Sequence, residues 1–324
     1  MISLSKRASF SIKLLFVVIA AIYIAISIDW IAVWRSVSLN LIEAILISQV
    51  LFLSATCVIA FRHSILVRVP PAPFGNCLAA VLLSAGVNLV TPGRIAEVIK
   101  ATYLRKVLKV PLANGTSAIA VERLFDVAAV SAIALAGFGG AVLENSQIFA
   151  AFLLLAFVGL LSIHKVAGLI LRVTGKYEGR WVQFLRENCT HVITMLTKRR
   201  LGSVAGLTVT SWSLHFLAIW LFFALQSEVQ LSLSQVALVF GAVLFAGAVP
   251  ALPGGIGLIQ VAVSMTLVAM DFPFSVALAQ SIGLHIAEVL ISAVSAPFLI
   301  LLRPTGIRDL IGSISASRKE REAG

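Results

Sequence analysis

Apolar residues run along this chain in blocks of about twenty, parted by short polar or basic connectors, with no sustained period-2 alternation. A block of that length crosses a hydrocarbon core of about 30 Å as a helix, whereas barrel strands alternate over roughly ten residues. Full spans are predicted at 14–34, 41–61, 116–138, 147–163, 201–225 and 279–302. The first begins like a secretory signal, with Ala25-Ile26-Ser27 as small residues for cleavage. Its apolar character resumes after Asp29 and reaches Trp34, so it reads as a retained span anchored by Trp30 and Trp34.

Two blocks break the pattern. The run 77–90 is too short to cross as a straight helix. It breaks at Pro92-Gly93 and restarts as an amphipathic segment, 94–109, carrying Arg94, Glu97, Lys100 and Arg105. The run 235–270 is interrupted by PALPGGIG, which holds Pro250, Pro253, Gly254, Gly255 and Gly257. Proline disfavours helical geometry in the residue before it, and glycine adopts dihedrals closed to other residues. The backbone groups so freed cannot face lipid, and they call for a protein-lined or watery cavity. Each break therefore reads as a re-entrant hairpin, the first entered from the cytoplasmic side and the second from outside. The Pro-Gly pairs at 92 and 253 lie 161 positions apart, half of the 324 residues. Opposite entry at that offset is the pattern of an inverted-topology repeat with a transport site between its halves.

The expected fold class is thus an all-α polytopic membrane protein with about six full transmembrane helices, two re-entrant broken-helix hairpins and an inverted repeat. A single integral membrane domain covers 1–303, with half-repeats at about 1–163 and 164–303, and a polar cytoplasmic tail covers 304–324.

Composition agrees. Sixty per cent of residues are hydrophobic and the mean hydropathy is +1.03, outside the range of soluble domains. The net charge of +11 does not signal nucleic acid, because the basic residues sit in short connectors beside spans without an aromatic platform. Of the 25 Lys and Arg residues, Arg35 falls in an outer loop, and Arg94 and Arg123 fall at membrane depth. The other 22 fall on the predicted cytoplasmic side, which places both termini in the cytoplasm. Cys57, Cys77 and Cys189 show no metal-ligand spacing and read as free thiols.

Charges inside spans cost at least about 2.5–3.5 kcal/mol each and are by default paired or functional. Glu122 and Asp126 share a helix face, with Arg123 three positions before Asp126. They form either an internally neutralised cluster or a phosphate site in which Arg123 or Arg94 holds the anion. Arg94 and Glu97 follow the first break, where open helix amides would face an anion; Asn88 either satisfies freed backbone or touches a headgroup. His285 and Glu288 share a face at a metal-ligand spacing that no second His or Glu set completes. They read as a hydrogen-bonded pair first and a proton relay second. His215 beside Trp212 reads as packing. No nucleotide motif is present and nothing calls for a cofactor.

The chain resembles the lysylphosphatidylglycerol synthase transmembrane-region, or flippase-like domain, family. The resemblance rests on N-x-x-x-P-G-R-x-x-E at Asn88, Pro92, Gly93, Arg94 and Glu97, and on Tyr103-Leu104-Arg105. It continues with E-R-x-x-D at Glu122, Arg123 and Asp126, and with P-x-x-P-G-G-x-G at Pro250, Pro253, Gly254, Gly255 and Gly257. It implies a polytopic protein of the cell inner membrane that moves lipids or lipid-linked intermediates between leaflets. The soluble aminoacyl-transferase domain of some members has no counterpart here, so synthase activity is not expected and the chain is not read as an enzyme. The expected function is a lipid flippase-like transporter. The alternatives are a proton-coupled carrier of a small solute and, last, a membrane-embedded enzyme modifying lipid headgroups. Expected partners are anionic or isoprenoid-linked membrane lipids, with a homo-oligomer possible.

Overall fold

The computed structural model describes residues 30–68, 70–91, 95–138, 143–227, 229–248 and 253–302. These form eleven α-helices, one 3-10 turn and no strand. In chain order the helices are α1 (Trp30–Arg35), α2 (Leu39–Val67), α3 (Phe74–Asn88), α4 (Ile95–Leu108), α5 (Leu112–Phe138) and α6 (Leu143–Thr174). There follow α7 (Arg180–Met195), α8 (Lys198–Ala224), α9 (Leu233–Ala248), the turn Pro253–Gly255, α10 (Leu258–Val268) and α11 (Phe274–Leu302). Most of the expected first span, and the tail, lie outside the described residues.

Local chemistry sets the helix starts. The hydroxyls of Ser38 and Thr197 accept the amides of Leu41 and Arg200, capping α2 and α8. Pro73, Pro111 and Pro273 stand directly before α3, α5 and α11, where a fixed φ and a missing amide cost a helix nothing. Four segments are long and apolar enough to cross a membrane: Leu39–Val67, Leu153–Thr174, Lys198–Ala224 and Phe274–Leu299. Helix α5 has the length, at 27 residues, but carries Glu122, Arg123 and Asp126.

Two boundaries differ from the expectation. Helix α2 does not end at 61 but runs to Val67, enclosing Arg62 and His63. Helix α6 does not end at 163 but runs to Thr174, with Val166, Leu169 and Val173 still exposed along it. Charged Lys165 looked like a terminus, yet a long cationic side chain can reach an interface from inside a span. The stretch 164–200 is consequently no loop. Its second half is α7, which buries Cys189, His191 and Met195.

The order of elements recurs at about half the chain length. Helices α8, α9, α10 and α11 begin 159, 159, 163 and 162 residues after α2, α3, α4 and α5 (198 − 39, 233 − 74, 258 − 95, 274 − 112). Among the described residues, the non-glycine positions with positive φ are Lys109 and Asp271, 162 apart. Each stands two residues before the proline that opens α5 or α11. The first such pair runs in opposite directions: the Asn40 amide donates to Ser227 Oγ at 3.1 Å and Arg62 to Thr208 Oγ1 at 2.7 Å, so α2 and α8 pack antiparallel.

The interrupted helices reach the middle of α11 from its two ends. Gly86, near the end of α3, lies against Ser292 and Ala296, so closely that a Cβ there would overlap that of Ala296. Helix α10 joins the start of α11 through the short turn 269–273 and so lies at its other end. His285, about 17 Å along α11, meets the second break at Gly254. The two breaks touch. Gly254, at φ 60°, has room for no side chain bulkier than hydrogen without crowding Leu89, whose Cα would be 3.3 Å from an added Cβ. One apolar core gathers the start of α2, the end of α8, α9, α10 and α11. Another gathers the end of α2, α3, α4, α5 and the start of α8.

Candidate functional site

Three helices bring charge to the side of the second core, and a fourth brings neutral polar groups. Because α2 continues past Phe61, Arg62 and His63 point inward rather than ending a span, and both are buried. Helix α4 presents Glu97 and Lys100 at i, i+3; α5 presents Glu122, Arg123 and Asp126; α8 presents Thr208 and Trp212 at i, i+4.

Glu122, fully buried, lies at the centre. Its Oε2 accepts from Lys100 Nζ at 2.7 Å, and its Oε1 faces His63 Nδ1 at 3.0 Å and Arg62 Nε at 3.9 Å. An ionised Glu122 requires the His63 proton on Nδ1. Asp126 takes Arg62 Nη1 at 2.7 Å, Trp212 Nε1 at 3.1 Å and Arg123 Nη1 at 3.3 Å. Arg123 also pairs through Nε with Glu97 Oε1 at 3.0 Å. Three cations (Arg62, Lys100, Arg123) thus meet three carboxylates (Glu97, Glu122, Asp126), and with His63 neutral the cluster carries no net charge. Neutrality with full pairing is what lets ionised groups persist out of water. The cluster is sealed except at one edge, where the Arg123 side chain is 43% exposed and that of Glu97 24%.

The sequence singled out Glu97, Glu122, Arg123 and Asp126, and the structure brings them together. It pairs Arg123 with Asp126 as the i, i+3 spacing suggested, and gives Glu122 to Lys100 and His63 instead. Arg62, His63, Lys100, Thr208 and Trp212 were missed. Apolar Ile65-Leu66-Val67 after Arg62-His63 was the available signal that α2 had not yet ended; Thr208 offered none. Arg105 is not in the cluster. It lines a groove of about 590 Å³ against α7. Asn88 is the exposed last residue of α3. Pro92, Gly93, Arg94 and Pro250 lie outside the described residues.

The second break is held by a neutral chain of hydrogen bonds. The Gly257 amide donates to Gln260 Oε1 at 2.7 Å, Gln260 Nε2 lies 2.7 Å from His285 Nδ1, and His285 Nε2 lies 3.0 Å from the Gly254 carbonyl. That carbonyl can only accept, so Nε2 carries the proton and Nδ1 accepts from the Gln260 amide. Gly254, Gly255 and Gly257 all have positive φ, at 60°, 73° and 86°, following Pro253 into the turn. The expected His285–Glu288 pair does not form. Both His285 nitrogens serve the unwound backbone, whose buried groups need partners, and Glu288 Oε2 is buried with no hydrogen-bond partner among the described residues. His215 packs as expected, edge-on to Phe52 and beside Trp212, with Nδ1 2.9 Å from the Ser211 carbonyl.

A groove of about 500 Å³ opens between α5, α8 and α9, lined mainly by Ile133, Phe216, Leu217 and Leu233. On α7, outside the spans, His191 Nδ1 lies 2.6 Å from Ser117 Oγ and Nε2 3.1 Å from the Val67 carbonyl, and burial holds the imidazole pKa below its ordinary value.

No curated protein and no solved structure matches the chain. The family model of the lysylphosphatidylglycerol synthase TM region matches residues 11–296, which take in both halves of the bundle, the charge cluster and the helix breaks. The chain is a multi-pass membrane protein that belongs to the lysylphosphatidylglycerol synthase TM region family, with a function related to membrane lipid.

Proposed function

We propose that the protein is a lipid flippase-like transporter, which passes the phosphate of a phospholipid or polyprenyl-linked lipid across the bundle at Arg123 while the tails stay in lipid. The observation that carries this reading is Arg123 itself. Its side chain is 43% exposed, about 16 Å along α5, on the rim of a neutral and otherwise sealed cluster. Its fork matches a phosphate bidentately, and of its two carboxylate partners Glu97 is the more open to displacement.

An arriving phosphate monoanion takes Glu97's place on Arg123, while Arg62 and Lys100 keep Asp126 and Glu122 where they are. The occupied cluster then carries one negative charge too many, and a proton taken up by Glu97 restores neutrality. Proton uptake on one side and release on the other would link movement to an ion gradient. The apolar groove along α5, α8 and α9 gives a tail a seat beside this path. Movement is a rocking of one half against the other, parting at Leu89 and Gly254. The lipid is moved and not chemically changed. The membrane is the cell inner membrane, with the ends of α2 and α6 and the starts of α5 and α8 toward the cytoplasm, following the basic connectors.

The test is leaflet sidedness in proteoliposomes with labelled phosphatidylglycerol and polyprenyl phosphate. Arg123→Gln loses transfer while inserting and unfolding like the parent protein, and Arg123→Lys retains part of it. Unaltered transfer in Arg123→Gln would overturn the reading. Arg123-dependent uptake of a soluble anion without lipid transfer would favour the small-solute carrier.

A further inference from the structure

Arg105 and Arg180 face one another across ground that the charge cluster does not use. They line the groove of about 590 Å³ between the end of α4 and the first turns of α7, with Trp181, Gln183, Phe184 and Glu187. Both arginines are exposed, and neither has a hydrogen bond or an ion pair with any described residue. Neighbouring Arg186 and Arg200, by contrast, donate to the carbonyls of Thr174 and Ile65.

The depth of the groove is marked by its neighbours. Leu161, Leu169 and Val173 are exposed along α6, and just past its end Tyr177 in the connector and Trp181 in the first turn of α7 are 62% and 80% exposed. Exposed aromatics at the foot of such a face belong at headgroup level, and Trp181 is also a wall of the groove. The site is preformed. Helix α7 is fixed to the bundle by Asn188 Oδ1, which accepts from Thr116 at 2.8 Å, and by His191 against Ser117 and Val67.

We infer that this groove is a binding site for the headgroup of an anionic glycerophospholipid, separate from the cluster and independent of whether the protein moves lipid. Arg105 and Arg180 supply unengaged guanidinium donors for the phosphate diester. Glu187, which accepts from Gln183 Nε2 at 3.2 Å, keeps acceptor capacity for a headgroup hydroxyl. The acyl chains leave past Trp181 along the exposed face of α6. The groove has the size of small-ligand pockets, about 300–1,000 Å³, and its two cations against one carboxylate favour an anion.

Native mass spectrometry of the full chain, in micelles carrying phosphatidylglycerol or phosphatidylcholine, tests the assignment. The parent protein retains one phosphatidylglycerol that Arg105→Gln/Arg180→Gln loses or holds at least about tenfold more weakly. Arg105→Lys/Arg180→Lys keeps part of the affinity, and Arg199→Gln keeps all of it. Both mutated arginines are exposed, so the melting temperature stays that of the parent. Equal retention by the double variant would overturn the site. So would equal retention of phosphatidylcholine, or displacement by soluble glycerol phosphate at the affinity of the lipid.

Discussion

Lys100→Met tests the centre of the cluster most directly. Lys100 and Glu122 are buried and 2.7 Å apart. Replacing Lys100 by Met leaves Glu122 with His63 and a distant Arg62 Nε, and strands a carboxylate out of water. Removing one partner of a buried pair costs about 3–5 kcal/mol. At about 2 °C per kcal/mol for a long chain, the melting temperature falls by roughly 6–10 °C. Glu122→Gln alone costs a similar amount, because the buried Lys100 ammonium then loses its carboxylate. The double variant removes both charges together and melts no lower than the better single variant, so the cycle shows a coupling of at least about 2 kcal/mol. A thiol-reactive dye suits the assay, since Cys77 is free and fully buried and becomes reachable on unfolding. If Lys100 were instead an interfacial lysine with its ammonium in water, Lys100→Met would shift melting by no more than about 1 °C. Additivity of the two single variants within about 0.5 kcal/mol would refute the buried pair.

Two further outcomes follow from packing and protonation. Gly86→Ala puts a methyl group onto Ala296 Cβ, forcing α3 off α11 and destabilising the protein by about 1–3 kcal/mol; the exchange Gly86→Ala/Ala296→Gly recovers most of that in thermal melts, and no recovery would show that this crossing is not tight. His191 gives α7 a pH dependence. Burial lowers its folded pKa below the ordinary 6.5, so the unfolded state binds the extra proton, and the contribution is full above about pH 6.5 and lost as pH falls toward the folded value. Amide exchange in α7 is therefore faster relative to the rest of the chain at pH 5.5 than at 7.5, and His191→Gln removes the difference; a flat profile in the parent protein would rule this out.

The second break was legible in the sequence because it has a strong local cause. Proline restricts the backbone and glycine frees it, and Pro253-Gly254 stands in the turn before α10; the helix starts recur near the 161-residue offset of the two Pro-Gly pairs. Glu122, Arg123 and Asp126 stood out because charge is costly in an apolar run. Their cationic partners did not. Arg62 and Lys100 lie near ends of apolar segments, where a basic residue is ordinarily a topology signal, and only the crossing of α2, α4 and α5 turns them inward. His285 and Glu288 show the reverse error. Their i, i+3 spacing permits contact, but whether two polar groups bond depends on what else competes, and the unwound backbone at Gly254 wins His285.

The two halves share a scaffold but not a chemistry, and that difference bears on which of them meets a substrate. Glu97 and Gln260 are each the third residue of the helix that follows a break, and each reaches the next helix, at Arg123 or His285. In the first half the contact is ionic and belongs to a cluster of three cations and three carboxylates. An anionic ligand can enter such a cluster by exchanging places with a carboxylate, because a guanidinium accepts either partner in nearly the same geometry. At the second break the polar groups are committed to one another. Gly257 donates to Gln260, Gln260 to His285 and His285 to Gly254, and a ligand could enter only by undoing a chain that holds the turn. The first half is accordingly the exchanging side of the proposed transporter and the second its fixed side. They meet at Leu89 and Gly254 through van der Waals contact between an apolar side chain and bare backbone, so parting there breaks no directional bond between those two residues.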